Sequence, residues 1–102
     1  MKFGLNETTI EKINSVFARY ASVKKAILYG SRAKGNFKNG SDIDLTLEGD
    51  KLELDTLMKI LNDLDELDLP YKIDLSVYSA ISNNDLLEHI NRVGVAFYLQ
   101  QK

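Results

Sequence analysis

Two short runs of this chain alternate in the same phase: Asp42-Ile43-Asp44-Leu45-Thr46-Leu47 and Lys72-Ile73-Asp74-Leu75-Ser76-Val77. Period-two alternation marks a strand with one buried face. It turns Ile43, Leu45, Leu47, Ile73, Leu75 and Val77 inward and leaves Asp42, Asp44, Thr46, Asp74 and Ser76 facing the other way. Between the runs, Leu52, Leu57, Ile60, Leu61, Leu64 and Leu67 recur at helical spacing. A strand, a helical crossover and a second strand favour parallel pairing of the two strands.

The flanking sequence extends this unit. Ile10, Ile13, Phe17 and Tyr20 predict an amphipathic helix, with Thr8 and Glu11 at capping-box spacing. Ala26-Ile27-Leu28-Tyr29 reads as a buried strand, broken by Gly30. Residues 31–41 hold two further glycines and two asparagines, which predicts a loop with one helical turn near Ser31 to Lys34. So short a loop predicts an antiparallel turn-back. Pro70, the only proline, ends the connector before the second alternating run. Asn83 or Asn84 can cap a helix carrying Leu86, Leu87, Ile90 and Val93, with Gly94 at its C′ position. Val95 to Leu99 reads as a last, edge-like strand. The expected fold is α/β (α+β): one domain over residues 1–102, with a mixed sheet and helices packed mainly on one face. The acids lie on the other face.

Composition narrows the function. A net charge of −2 gives no general attraction for nucleic acid. The absence of cysteine excludes disulfides and thiolate metal sites, and a single histidine argues against a histidine-based zinc site. No apolar run approaches the roughly 18–20 residues that span a bilayer. Met1-Lys2-Phe3-Gly4 lacks a signal-peptide core, so a cytoplasmic location is expected.

The acids carry the chemical signal. Asp42 and Asp44 fall on one face about 6.5–7 Å apart, and neighbouring strands lie about 4.8 Å apart. If the Asp74 strand is adjacent, three carboxylates converge. At roughly 5 Å and an effective dielectric near 20, each like-charge pair costs about 3 kcal/mol before screening. A divalent cation such as Mg²⁺ relieves that cost, since it takes hard oxygen ligands and leaves positions for phosphate and water. Gly30 and Ser31 stand just upstream. Glycine lets backbone amides approach a phosphate, and the serine hydroxyl adds a donor. Arg32, Lys34 and Lys38 can neutralise phosphate charge.

Gly30-Ser31, a loop, Asp42-Ile43-Asp44 and a third acid, Asp74, on a later strand resemble the minimal nucleotidyltransferase (MNT) family of the DNA polymerase beta superfamily. The resemblance covers nearly the whole chain, and no motif position is missing. It implies that Asp42, Asp44 and Asp74 are catalytic and bind two Mg²⁺ ions, Asp74 also helping to deprotonate the incoming hydroxyl. It implies that Gly30 and Ser31 hold the β/γ-phosphates; Arg32, Lys34 and Ser41 are expected beside them as nucleotide-binding residues. The implied activity is metal-dependent transfer of a nucleoside monophosphate, with ATP as the default donor, to a hydroxyl. Members of this size are typically encoded beside a helical HEPN-domain toxin and act as its antitoxin by adenylylating a tyrosine on it. Such a partner is therefore expected.

Two other functions compete. The chain can be a binding module that neutralises its partner by complex formation alone, or a stand-alone enzyme for a small hydroxylated substrate. The acids of residues 55–68 read as a solvated helix face, His89 as a surface or rim residue, and Tyr71 and Tyr78 as core-edge packing.

Overall fold

The computed structural model describes residues 1–101. Helix α1, Glu7–Phe17, leads into strand β1, Val23–Tyr29. One turn of helix, α2 (Ser31–Lys34), and a loop precede β2, Ile43–Gly49. Helix α3, Leu54–Asp65, crosses to β3, Ile73–Val77. A 3₁₀ turn, Tyr78–Ala80, then precedes α4, Asn84–Val93, and β4, Val95–Leu99. The sheet order is β3-β2-β1-β4. β2 and β3 are parallel, whereas β1 is antiparallel to both of its neighbours. Both pairings expected from loop and crossover lengths are present.

Register separates the two faces. Ala26 opposes Leu47 and Leu28 opposes Leu45, so these four share a face with Ile43. That face packs under α1 and α3: Ile13, Val16, Phe17, Ile60 and Leu64 join one buried cluster with the five strand residues. A fully buried side chain the size of Phe17 or Leu45 contributes about 1.5–3 kcal/mol. On the opposite face Lys25 pairs with Glu48, Ile27 with Thr46, and Tyr29 with Asp44.

Helices α1 and α3 pack on one face as expected, and α4 is the exception that a mainly one-sided packing leaves room for. It lies across the acid-bearing face rather than beside α1 and α3: the Tyr29 and His89 rings meet edge-on at 6.1 Å. A Cβ added to Gly94 would sit 2.7 Å from Ile27 and 2.4 Å from the Ile90 carbonyl. The helix end thus approaches β1 too closely for any larger residue. Gly94 itself has φ −63 and ψ 141, so close contact rather than a left-handed cap is what requires glycine here. The two faces account for β1's continuous apolar run. Over Ala26–Tyr29 this inner strand is covered on both sides, so no solvated face makes it alternate there.

The helix caps follow side-chain chemistry. Asn83 caps α4 by accepting from Leu86 N–H at 3.0 Å. Helix α1 is capped by Asn6, whose Oδ1 accepts from Thr9 N–H at 2.8 Å, and not by Thr8. Thr8 lies inside the helix, because asparagine two residues earlier takes the N-cap position and satisfies the free amide of Thr9.

Candidate active site

Asp44 and Asp74 are register partners on the parallel pair β2 and β3, so their side chains leave the same face side by side. Asp42, just before β2, shares that face by parity. Asp44 is half-buried, while Asp42 and Asp74 are exposed. Burial pushes the Asp44 carboxyl above the usual aspartate range, and the charges of Asp74 and then Asp42 push it further.

The trio shares a face but does not close into a cage. Among the described residues, no three His, Cys, Asp or Glu side chains gather closely enough to hold a metal ion. The expected convergence on one point is therefore looser than strand spacing alone suggests. Asp42 stands outside the strand, and mutual repulsion favours splayed carboxylates. The donor set still fits Mg²⁺, which is commonly held by one or two carboxylates, with phosphate oxygens and water completing its shell.

Gly30 meets the acids from β1. Its φ of +76 and ψ of −158 lie in a region open essentially to glycine. A Cβ there would fall 2.3 Å from Asp44 Oδ2. The bend thus sits directly against the least solvated carboxylate. Lys34 N–H bonds to the Gly30 carbonyl at 3.1 Å. This is the first turn of α2, so the amides of Ser31, Arg32 and Ala33 precede its first intrahelical bond and are left for an external acceptor. Ser31 is half-buried beside the bend, and Lys34 is exposed at the far end of the turn.

Arg32 behaves differently from the expected phosphate ligand. It is 3% exposed. Its Nε and Nη2 donate to the Ser41 carbonyl at 3.0 and 2.9 Å, and its Nη1 donates to the Phe3 carbonyl at 2.8 Å. The guanidinium also lies 5.2 Å from the Phe37 ring and 4.9 Å from that of Tyr71. Its donors are committed to backbone oxygens in an aromatic slot, and Arg32 fastens the loop. Ser41 belongs to the same fastening: its hydroxyl accepts from Lys38 N–H at 2.9 Å. The side chains of Lys34 and Lys38 remain in solvent.

Beneath the acids lies a line of hydroxyls. Ser76 Oγ donates to Oγ1 of the fully buried Thr46 at 2.9 Å. Burial pushes the neighbouring Tyr29 phenol up, contact with the Ser76 hydroxyl pulls it down, and the charges of Asp74 and Asp44 add to the rise. The Ser76–Thr46 bond ties β3 to β2 one same-face position along from the carboxylates.

His89 was expected at the rim and instead reaches this site. Gly30 N–H donates to His89 Nε2 at 3.1 Å. One signal was present in the sequence: His89 follows Leu86 by three residues and precedes Val93 by four, so it belongs to the partly buried stripe of α4.

Residues 11–102 match the family model described as polymerase beta, nucleotidyltransferase. The chain belongs to this family. No curated protein matches it. Among solved structures, a toxin–antitoxin with AMP-PNP superposes with a TM-score of 0.68 at 23% identity, over 95% of this chain and 76% of that one. A mutant of the toxin–antitoxin MntA–HpeT gives a TM-score of 0.65 at 20% identity, over 95% and 75%. A tri-AMPylated Shewanella oneidensis HEPN toxin in complex with MNT antitoxin gives 0.68 at 18% identity, again over 95% and 75%. At these identities the likeness is one of fold. The mixed four-stranded sheet is the nucleotidyltransferase fold.

Proposed function

We propose that the chain is a protein nucleotidyltransferase that moves AMP from ATP to a hydroxyl, a tyrosine of a HEPN-type helical toxin, and thereby serves as that toxin's antitoxin. The observation that carries the reading is the pairing of Asp44 with Asp74 beside a glycine bend that only glycine can form. The fold shared with a toxin–antitoxin solved with AMP-PNP, and with an MNT antitoxin in complex with a tri-AMPylated HEPN toxin, supports both nucleotide and partner. Asp42, Asp44 and Asp74 would hold Mg²⁺, which supplies charge neutralisation for the triphosphate and the departing pyrophosphate.

The residues divide the work. Ser31 offers its hydroxyl and the amides at the start of α2 to the phosphate tail. Lys34 and Lys38, both exposed, add positive charge at the loop. Asp74 is on the outermost strand and exposed, where an incoming hydroxyl can reach it and surrender its proton. The acceptor oxygen attacks the α-phosphorus, the bond to the β-phosphate oxygen breaks, and pyrophosphate leaves. The acid face stays exposed at Asp42 and Asp74, beyond the part that α4 covers, and this leaves room for an acceptor presented by another protein.

The test is transfer of label. The chain is incubated with Mg²⁺, the product of the adjacent gene, and ATP labelled at the α- or the γ-phosphorus. Label on the partner from α-labelled but not γ-labelled ATP, lost in Asp44→Asn, is the expected result. A partner that stays unlabelled yet is neutralised equally by wild type and Asp44→Asn would replace catalysis with binding.

A further inference from the structure

We infer that His89 is a positioning residue for the phosphate-binding bend, acting through the Gly30 amide; the inference rests on the nucleotidyltransferase reading above. Gly30 is fixed at three points. Its carbonyl accepts Lys34 N–H at 3.1 Å and starts α2. Its α-carbon abuts Asp44 Oδ2. Its N–H donates to His89 Nε2 at 3.1 Å. The last contact sets the plane of the Tyr29–Gly30 peptide and so the direction in which Ser31 and the following amides leave the strand. A glycine in an extended, positive-φ conformation has no side chain to hold it there. An external acceptor supplies that hold.

The imidazole is itself held. It rests edge-on against Tyr29 at an interplanar angle of 80°, on a strand buried on both faces. Accepting at Nε2 requires the neutral ring with its proton on Nδ1. The Gly30 N–H is thereby occupied, so the bend presents Ser31 and the next amides to phosphate, and not its own. His89 comes from α4, the helix that crosses the acid face. The docking of that helix and the geometry of the bend are therefore coupled.

Three variants separate an acceptor from a packing group. His89→Ala removes both functions. His89→Phe keeps a ring against Tyr29 but cannot accept a hydrogen bond. His89→Gln places an amide oxygen that can. Affinities for a non-hydrolysable ATP analogue and for AMP are measured with Mg²⁺ by calorimetry, and the Gly30 amide is followed by ¹⁵N NMR. Leaving the amide unpaired should weaken triphosphate binding about ten-fold in His89→Ala and His89→Phe. AMP, which lacks the β- and γ-phosphates, should bind these variants as it does wild type. His89→Gln should restore both the triphosphate affinity and the protection of the Gly30 amide.

Equal triphosphate affinity in wild type and folded His89→Phe would overturn the inference, as would equal losses for ATP analogue and AMP. A Gly30 amide unchanged in His89→Phe would overturn it without reference to nucleotide. A wild-type chain that binds neither nucleotide would overturn the enzyme reading and this one with it.

Discussion

Replacing Asp44 with asparagine should raise the melting temperature of the metal-free protein. Asp44 sits in register with Asp74 on the next strand, at a strand spacing of about 4.8 Å. Two unit charges about 5 Å apart repel by about 3 kcal/mol at an effective dielectric of 20 and by about 0.8 kcal/mol in water. Asp74 is exposed and Asp44 half-buried, so solvent screening brings the pair near the lower figure. Relief of about 1 kcal/mol corresponds to about 4 °C in a domain of this size. The pH dependence has a definite sign. Burial, Asp74 and Asp42 raise the folded-state pKa of Asp44 above its ordinary 3.8. The penalty on the wild type is therefore complete above that raised value and gone below the unfolded value. The advantage of Asp44→Asn should be largest near neutral pH and should vanish in acid. Calorimetry in chelator across this range measures it. Millimolar Mg²⁺ with ATP should reverse the order, because only the wild type gains binding energy. Coincident melting curves in chelator near neutral pH, or a lower one for the variant, would refute the clustering argument.

Three further outcomes follow from the loop, the bend and the first helix. Arg32→Ala should cost about 3 kcal/mol in urea unfolding, since it empties an aromatic slot and leaves the Ser41 and Phe3 carbonyls without their donor. Arg32→Lys should recover less than half of that, because an ammonium cannot span two carbonyls in a plane. Gly30→Ala should cost about 1–3 kcal/mol from its φ of +76 and abolish transfer, because the added methyl must displace the Asp44 carboxylate. Asn6→Ala should cost about 1 kcal/mol, and Thr8→Ala should change stability by less than about 0.5 kcal/mol, because Asn6 makes the capping bond to Thr9 N–H.

What could be read in the sequence follows the range of the interaction responsible. The alternation of residues 42–47 and 72–77 is local, and it placed Asp44, Asp74, Thr46 and Ser76 on one side of the sheet. Crossover length predicted which strands run parallel. Arg32, Lys34 and Lys38 look alike in a polar loop. Only the arrival of Phe37 and Tyr71 around the guanidinium, and of the Phe3 carbonyl against it, separates a buried fastening from two solvated lysines. The capping choice between Asn6 and Thr8 depends on where the chain enters the helix, which Leu5 decides by being wholly buried. His89 needed more still. Its meeting with Gly30 depends on α4 lying across the acid face, a consequence of how the 3₁₀ turn Tyr78–Ala80 and Gly94 direct the chain.

The site exists because register outweighs repulsion. A slip of β3 by one residue would carry Asp74 to the core face and relieve the contact with Asp44. The same slip would expose Ile73, Leu75 and Val77, which are partly buried, at about 1 kcal/mol each. It would also break the Ser76–Thr46 hydrogen bond, worth about 1 kcal/mol, and bury a carboxylate against α3 with no partner for its charge. Some 4 kcal/mol or more therefore opposes about 1 kcal/mol of screened repulsion, and the in-register pair prevails. Topology then brings the second half. Because β1 runs antiparallel to β2, its last residue Tyr29 pairs with Asp44, and the chain must turn beside that carboxylate. Parallel pairing on one side of β2 sets the acids together, and antiparallel pairing on the other sets the glycine bend against them. Removing the apolar hold, for instance by Leu75→Ser, should loosen Asp74 before it unfolds the sheet.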